Sequence, residues 1–131
     1  MKRNKVESGR ISFVWFEDNK DFIKTRAEGF ERGKVMIPTH IPESAEDVQS
    51  LIENFPEEIK FAILDRELSE IGCSLNGSEI AKVLKEKYPE LIIIGNPGVG
   101  ELTEADYSIN KKDGIIPIVN LILKLANEHT D

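Results

Sequence analysis

The fold is decided by the stretch FAILDREL, residues 61–68, in which four apolar residues run directly into Asp65. A buried strand that ends in this way presents one carboxylate at the rim of a sheet. The earlier stretch ISFVWF, residues 11–16, ends in the same way at Glu17 and Asp18. Because parallel strands in open α/β sheets bind ligands at their carboxyl ends, we expect these three acids to lie together. Such a cluster repels itself and favours a hard divalent cation such as Mg²⁺.

The rest of the chain alternates predicted strands with predicted helices. Pro38 suggests an edge strand, whereas the uniformly apolar run at 91–94 is typical of a central strand covered on both faces. This alternation favours a doubly wound parallel α/β sheet. Strands are expected at about 11–16, 35–38, 60–64, 91–94 and, more weakly, 106–110; helices are expected after Asn19 (ending at Gly33), after Ser44, after Asn76, and over about 115–127.

Composition places limits on the function. A chain of 131 residues, 40% hydrophobic, fits one domain over 1–131, with residues 1–9 expected to be frayed. The net charge of −7 disfavours nucleic acid and anionic membranes as partners. Cys73 is the only cysteine, which excludes an intramolecular disulfide. The sequence has neither a signal-peptide pattern nor an apolar run of about 18 residues, so we expect a soluble cytoplasmic protein.

Four motifs in order resemble the response-regulator receiver domain, the CheY-like family, over about residues 9 to 127. They are FVWFEDN at 13–19, AILDREL at 62–68, NGSEI at 76–80 and ADYSINK at 105–111. Each motif is weak alone, but the four together, in this order and spacing, are a strong signal. The resemblance implies a flavodoxin-like, five-stranded parallel sheet in the order 2-1-3-4-5, flanked by helices.

The resemblance also implies roles for particular residues. Asp65 would accept a phosphoryl group from a sensor histidine kinase or a phosphotransfer protein, and Lys111 would pair with Asp65 and then with its phosphate. Magnesium would be held by Glu17, Asp18, Asp65 and the backbone carbonyl of Glu67. Apart from phosphorylating and dephosphorylating itself, such a domain is not an enzyme.

The chain also departs from the family pattern. The family has Ser or Thr at the end of its fourth strand, where this chain has Gly95 or Asn96, and only the Asn96 amide could donate to a phosphoryl group. The family's switching aromatic falls at Ser108, with Tyr107 one place off and on the opposite face. The residues from 95 to 104 are too few for a full fourth helix with its loops. The phosphorylation chemistry therefore looks mostly intact, while the read-out region looks altered.

Three functions remain open. The first is a stand-alone receiver that signals through contacts with a downstream protein. The extra apolar residues Ile116 and Leu123 of the last helix fit a deep core contact, which is slightly favoured, or a partner or homodimer face. The second is a pseudo-receiver, a binding module that works without phosphorylation. The third is a toprim-like metal-dependent enzyme using Glu17, Asp65 and Glu67, which the acidic net charge disfavours.

Overall fold

The computed structural model describes residues 6–7 and 9–128. In this part of the chain, two 3₁₀ turns, Ser69–Ile71 and Lys111–Asp113, accompany the regular elements. The strands are Val6–Glu7 (β1), Arg10–Phe16 (β2), Met36–His40 (β3), Phe61–Leu64 (β4), Ile92–Gly95 (β5) and Tyr107–Ser108 (β6). The helices are Lys20–Gly33 (α1), Ala45–Glu53 (α2), Gly77–Lys87 (α3) and Ile116–Glu128 (α4).

Five parallel strands form the sheet in the spatial order β3-β2-β4-β5-β6. Counted along the chain without β1, this is the order 2-1-3-4-5, and the predicted fold class is confirmed. Pro38 lies in β3, which pairs only with β2 and is therefore an edge strand, as predicted. The register places Phe16 beside Leu64, and Leu64 beside Gly95. The residues that follow these three positions consequently meet at one edge of the sheet.

The amino-terminal part differs from the expectation. Val6–Glu7 pairs antiparallel with Arg10 and Ile11, so the prediction of a frayed terminus is wrong for these two residues. The reason is that β2 begins at Arg10, one residue earlier than predicted, and offers backbone groups with which a short hairpin can pair. Gly9 in the turn has φ +78°, a conformation that favours glycine. The remainder of the predicted frayed terminus, residues 1–5 and 8, lies outside the described residues.

Successive residues of a strand point to opposite faces of the sheet, and helices cover both of these faces. Trp15 is 2% exposed and packs edge-on against Phe30 of α1, so this aromatic residue belongs to the core. On one face, α1 and α4 pack over Phe13, Trp15, Phe61, Ile63 and Ile94; on the other, α2 and α3 pack over Val14, Phe16, Ala62, Leu64 and Ile93.

Side-chain caps begin the first three helices where the sequence predicted them. The Asn19 side chain accepts a hydrogen bond from the Phe22 amide, and the Ser44 side chain accepts one from the Asp47 amide. Asn76 forms a capping box with Glu79. Residues 96–106, called here the β5–β6 segment, contain no helix, which confirms the predicted shortening. Among the described helices, none has the length and apolar character needed to cross a membrane.

Candidate functional site

Three acidic side chains converge at the carboxyl edge of the sheet. Glu17 and Asp18 directly follow β2, and Asp65 directly follows the neighbouring β4. One carboxylate oxygen from each lies within 4.8 Å of the others. The residues are only 1%, 7% and 7% exposed, respectively. The sheet register thus brings together the acids that the strand-end pattern predicted to meet.

Backbone amides fix two of these carboxylates. The Glu70 amide donates to Asp18 Oδ2 over 2.8 Å, and the Arg66 amide donates to Asp65 Oδ1 over 2.8 Å. The Asp65 amide itself donates to the Phe16 carbonyl at 2.9 Å, which continues the β2–β4 pairing to the site. Asp18 and Asp65 are therefore positioned by main-chain donors.

Lys111 reaches the acids from the turn after β6. Its Nζ atom lies 3.1 Å from Glu17 Oε1 and 3.2 Å from Asp65 Oδ2. The ammonium group also stands 4.5 Å from the centre of the Phe22 ring, a cation–π contact. Its backbone is held on both sides, because its amide donates to Pro97 O at 2.8 Å and its carbonyl accepts from Arg26 at 3.0 Å. The predicted pairing of Lys111 with Asp65 is present.

The charges at this edge do not balance. Burial, followed by repulsion from Asp65, raises the pKa of Glu17 from 4.5 to about 7, although Lys111 works in the opposite direction. Burial is also the main cause that raises the pKa of Asp65, with Asp18 adding to it and Lys111 opposing it. A single lysine beside three buried acids leaves an excess of negative charge.

One acceptor atom of the cluster makes no hydrogen bond. Glu17 Oε1 is buried and has no hydrogen-bond partner in the described part of the chain, although Lys111 is near enough for charge attraction. A buried oxygen without a partner costs free energy unless something binds it. Clustered carboxylate oxygens with excess negative charge are the donors that a hard divalent cation takes. The residues present therefore fit a magnesium ion.

Two predicted site residues take no part in this cluster. Glu67 is exposed, and its carboxylate is not among the three that converge; the prediction for its backbone carbonyl stays a prediction. Asn96 is 3% exposed, and its side-chain amide donates to the Ile109 carbonyl at 2.6 Å. That bond ties the end of β5 to the chain beyond β6, so donation from Asn96 to a phosphoryl group also remains a prediction.

Leu102 explains why a glycine ends β5. A Cβ atom at Gly95 would lie 2.6 Å from the Leu102 Cβ and 3.0 Å from its Cδ2. Leu102 is 1% exposed and belongs to the core on the side of α2 and α3. The space beside Gly95, one of the two positions at which the resemblance places a hydroxyl side chain, is thus filled from the β5–β6 segment. No local pattern predicted this contact, because the two residues are separated by a loop without periodicity.

Gly77 and Arg66 are further site-region residues that sequence reasoning missed. A Cβ atom at Gly77 would collide with the Asp65 carbonyl oxygen and would lie 2.9 Å from the Arg66 Cα. The Gly77 amide donates to the Arg66 carbonyl at 2.6 Å, so the start of α3 rests directly on the backbone that follows Asp65. The Asn-Gly pair at 76–77 was the available signal for this close approach.

Comparison with known proteins finds likeness in structure but not in sequence. No family model and no curated protein sequence matches the chain. A CheY-like receiver domain protein from Methanospirillum hungatei has a TM-score of 0.70 at 18% identity, over 90% of this chain and 94% of its own. A Francisella response-regulator receiver domain has a TM-score of 0.73 at 14% identity, over 92% of this chain and 99% of its own. A receiver domain protein from Clostridium thermocellum has a TM-score of 0.72 at 17% identity, over 90% of this chain and 95% of its own.

These likenesses span nearly all of both chains, and they agree with the strand order of the sheet. The chain therefore has the fold of a CheY-like response-regulator receiver domain.

Proposed function

We propose that this chain is a phosphoacceptor receiver domain, in which Asp65 takes up a phosphoryl group with the help of Mg²⁺. The observation that carries the proposal is the convergence of Glu17, Asp18 and Asp65 with Lys111 at the carboxyl edge of a receiver-type sheet. Glu17 Oε1, which makes no hydrogen bond and meets only the charge of Lys111, adds an acceptor for a cation. A strand-end acid that served only as a helix cap would need none of these neighbours.

The reaction transfers a phosphoryl group from a nitrogen atom of the donor to a carboxylate oxygen of Asp65. A carboxylate oxygen of Asp65 attacks the phosphorus of a donor phosphohistidine, and an acyl phosphate O–P bond forms as the P–N bond breaks. The donor imidazole leaves with the electron pair of that bond and takes a proton from solvent. A bound Mg²⁺ would neutralise charge that develops on the phosphoryl oxygens.

The chain's own residues support this step in three ways. Backbone bonds hold Asp18 and Asp65 in place before the donor arrives, which lowers the entropic cost of reaction. Lys111, already 3.2 Å from Asp65 Oδ2, can follow the phosphoryl group as a charge partner. Glu17 and Asp18 supply carboxylates for the cation. The donor would be a sensor histidine kinase or phosphotransfer protein, and the output a contact with another protein.

The proposal is tested with a small phosphodonor. The protein is incubated with acetyl phosphate and Mg²⁺, and its intact mass is measured. We expect the mass of one phosphoryl group to be gained, to require Mg²⁺, and to be lost in Asp65→Asn. Asp113→Asn is the matched control, because Asp113 is an exposed acid outside the cluster, and this variant should be modified like the wild type.

A pseudo-receiver is the second candidate, and the packing of Leu102 against Gly95 favours it. In this alternative the segment that would respond to phosphorylation is fixed in one state, and the fold serves as a binding module. Absence of a mass gain in the wild type, with Mg²⁺ and excess acetyl phosphate, would support this candidate and contradict phosphoacceptance.

A further inference from the structure

Arg66 links the candidate phosphoacceptor to the β5–β6 segment. Its backbone amide donates to Asp65 Oδ1 at 2.8 Å. Its guanidinium group reaches the other way, and one nitrogen donates to the Val99 carbonyl at 3.1 Å and to the Glu101 carbonyl at 2.6 Å. One residue therefore contacts both the reacting carboxylate and the segment that replaces a helix.

The geometry of the segment suits this contact. Gly100, between the two accepting residues, has φ +70°, a conformation that other residues adopt only with strain. The turn at Gly100 brings both neighbouring carbonyls to a single guanidinium nitrogen. Val99 at this turn is 82% exposed, so the turn has little apolar packing of its own. The arginine is thus a principal tie on this part of the segment.

The Lys111 amide also holds the segment, at the Pro97 carbonyl over 2.8 Å, and three further contacts lie beyond Glu101. The Leu102 amide donates to Ser108 Oγ at 3.0 Å, and the Ala105 amide donates to the Leu102 carbonyl at 3.2 Å. The Leu102 side chain is buried beside Gly95. None of these three contacts involves the acidic cluster, so they hold the segment without reporting on the state of Asp65.

We infer that Arg66 is a positioning residue that couples phosphorylation of Asp65 to release of the β5–β6 segment, a role that rests on the function proposed above. The guanidinium now donates to two neutral carbonyls. A phosphoryl group on the adjacent residue carries nearly two negative charges and accepts bidentate bonds from arginine, whereas each carbonyl offers only a partial charge. The side chain turns to the phosphoryl group, and the Val99 and Glu101 carbonyls lose their donor.

This coupling needs no hydroxyl at the end of β5. In the family that this chain resembles, a hydroxyl side chain at the end of this strand pulls a loop inward. In this chain, Arg66 would instead release the segment by giving up its bonds to Val99 and Glu101. The signal would therefore be loss of order around Val99 and Leu102, and the exposed Val99 would become free to reach a partner.

Amide hydrogen exchange tests this inference in the full chain, with intact mass used to separate phosphorylated from unmodified molecules. In the wild type, phosphorylation should lower the protection of the Leu102 and Ala105 amides about tenfold. In Arg66→Ala, these amides should be poorly protected already, and phosphorylation should change them less than about twofold. Protection of the β4 amides at residues 61–64, which lie between β2 and β5 in the sheet, checks that each variant remains folded.

Ser108→Ala is the matched control, since it removes another tie of the same segment at a residue outside the acidic cluster. Its Leu102 amide loses its acceptor and should be unprotected at the start, but its Ala105 amide should still respond about tenfold to phosphorylation. A purely structural role for Arg66 would make the two variants behave alike.

The outcomes separate the two proposals. If the wild type gains no phosphoryl mass, phosphoacceptance is wrong, and the role of Arg66 is wrong with it. If the wild type is modified and Arg66→Ala responds as the wild type does, the coupling alone is wrong. Unchanged protection of the wild-type segment on phosphorylation would likewise overturn the coupling alone.

Discussion

The acidic edge and the β5–β6 segment lie side by side, but they are built in different ways. At the edge, main-chain hydrogen bonds hold Asp18 and Asp65 at the ends of paired strands. The segment has no regular structure, and between Val99 and Leu102 its ties come from the side chains of Arg66 and Ser108. The first region has its geometry fixed by the sheet, whereas the second depends on individual contacts.

This difference indicates how the two regions can change. A position fixed by strand pairing tolerates few alterations, because every adjustment disturbs the backbone of the sheet. A segment fixed by a few side chains can be released by removing one partner, at a cost of about 1 kcal/mol per hydrogen bond. Chemistry suits the rigid region, and a response to chemistry suits the loosely tied one. Substitutions that probe both regions can test this contrast.

The largest effect is expected for Gly77→Ala. Its new methyl group would collide with the Asp65 carbonyl, a backbone atom that cannot move without disturbing the acidic edge. We expect a loss of at least about 3 kcal/mol in the free energy of unfolding, measured by urea denaturation. Gly33→Ala is the control, because a Cβ there has nothing within 4 Å, and it should be neutral or stabilising by up to about 1 kcal/mol. Equal effects of the two variants would contradict a tightly packed edge.

The same contrast explains what could be predicted from the sequence. Strand ends are local features, so the runs before Asp18 and Asp65 predicted the parallel sheet and the meeting of three acids. Helix starts were equally local, because a capping side chain bonds an amide only three residues away. The sequence also predicted that a fourth helix would not fit between β5 and β6.

The contacts that escaped prediction join residues far apart in the chain without a periodic pattern. Arg66 bonds carbonyls 33 and 35 residues away, and nothing in its local sequence distinguishes it from a solvated arginine. Leu102 fills the space beside Gly95 through a loop whose course propensity does not determine. The hairpin of β1 was missed because two residues carry too short a pattern.

An effect of intermediate size on the free energy of unfolding is expected for Glu17→Gln, and this effect depends on pH. The pKa of Glu17 is raised to about 7 in the folded state, against an ordinary value of 4.5. The folded state then holds the proton more tightly, so its stabilisation is complete below pH 4.5 and is lost as pH rises through about 7. Between pH 5 and 8 without metal, the free energy of unfolding should fall by roughly 2 kcal/mol more in the wild type than in Glu17→Gln, because glutamine cannot ionise.

Thermal or urea unfolding at several pH values in a chelating buffer measures this difference. Added Mg²⁺ should restore stability at pH 8 more than at pH 5, since the cation binds the ionised carboxylate. Parallel stability curves for wild type and Glu17→Gln would show that the Glu17 pKa is not raised. A Mg²⁺ effect of equal size in both proteins would remove Glu17 from the cation site.

The smallest effect is expected for Gly95→Ala, which brings the two regions into contact. A Cβ there would approach Leu102 to 2.6 Å, but Leu102 belongs to the side-chain-held segment and can shift with it. We expect the free energy of unfolding to fall by about 1–2 kcal/mol, which is less than for Gly77→Ala, although a Cβ at either glycine meets a close neighbour. Combining Gly95→Ala with Leu102→Gly should cost less than the sum of the two single changes, by about 1 kcal/mol or more, because the new methyl group meets the Leu102 Cβ at 2.6 Å and only glycine removes that atom. Strict additivity in this double-mutant cycle, measured by urea unfolding, would mean that Leu102 does not limit the residue at the end of β5.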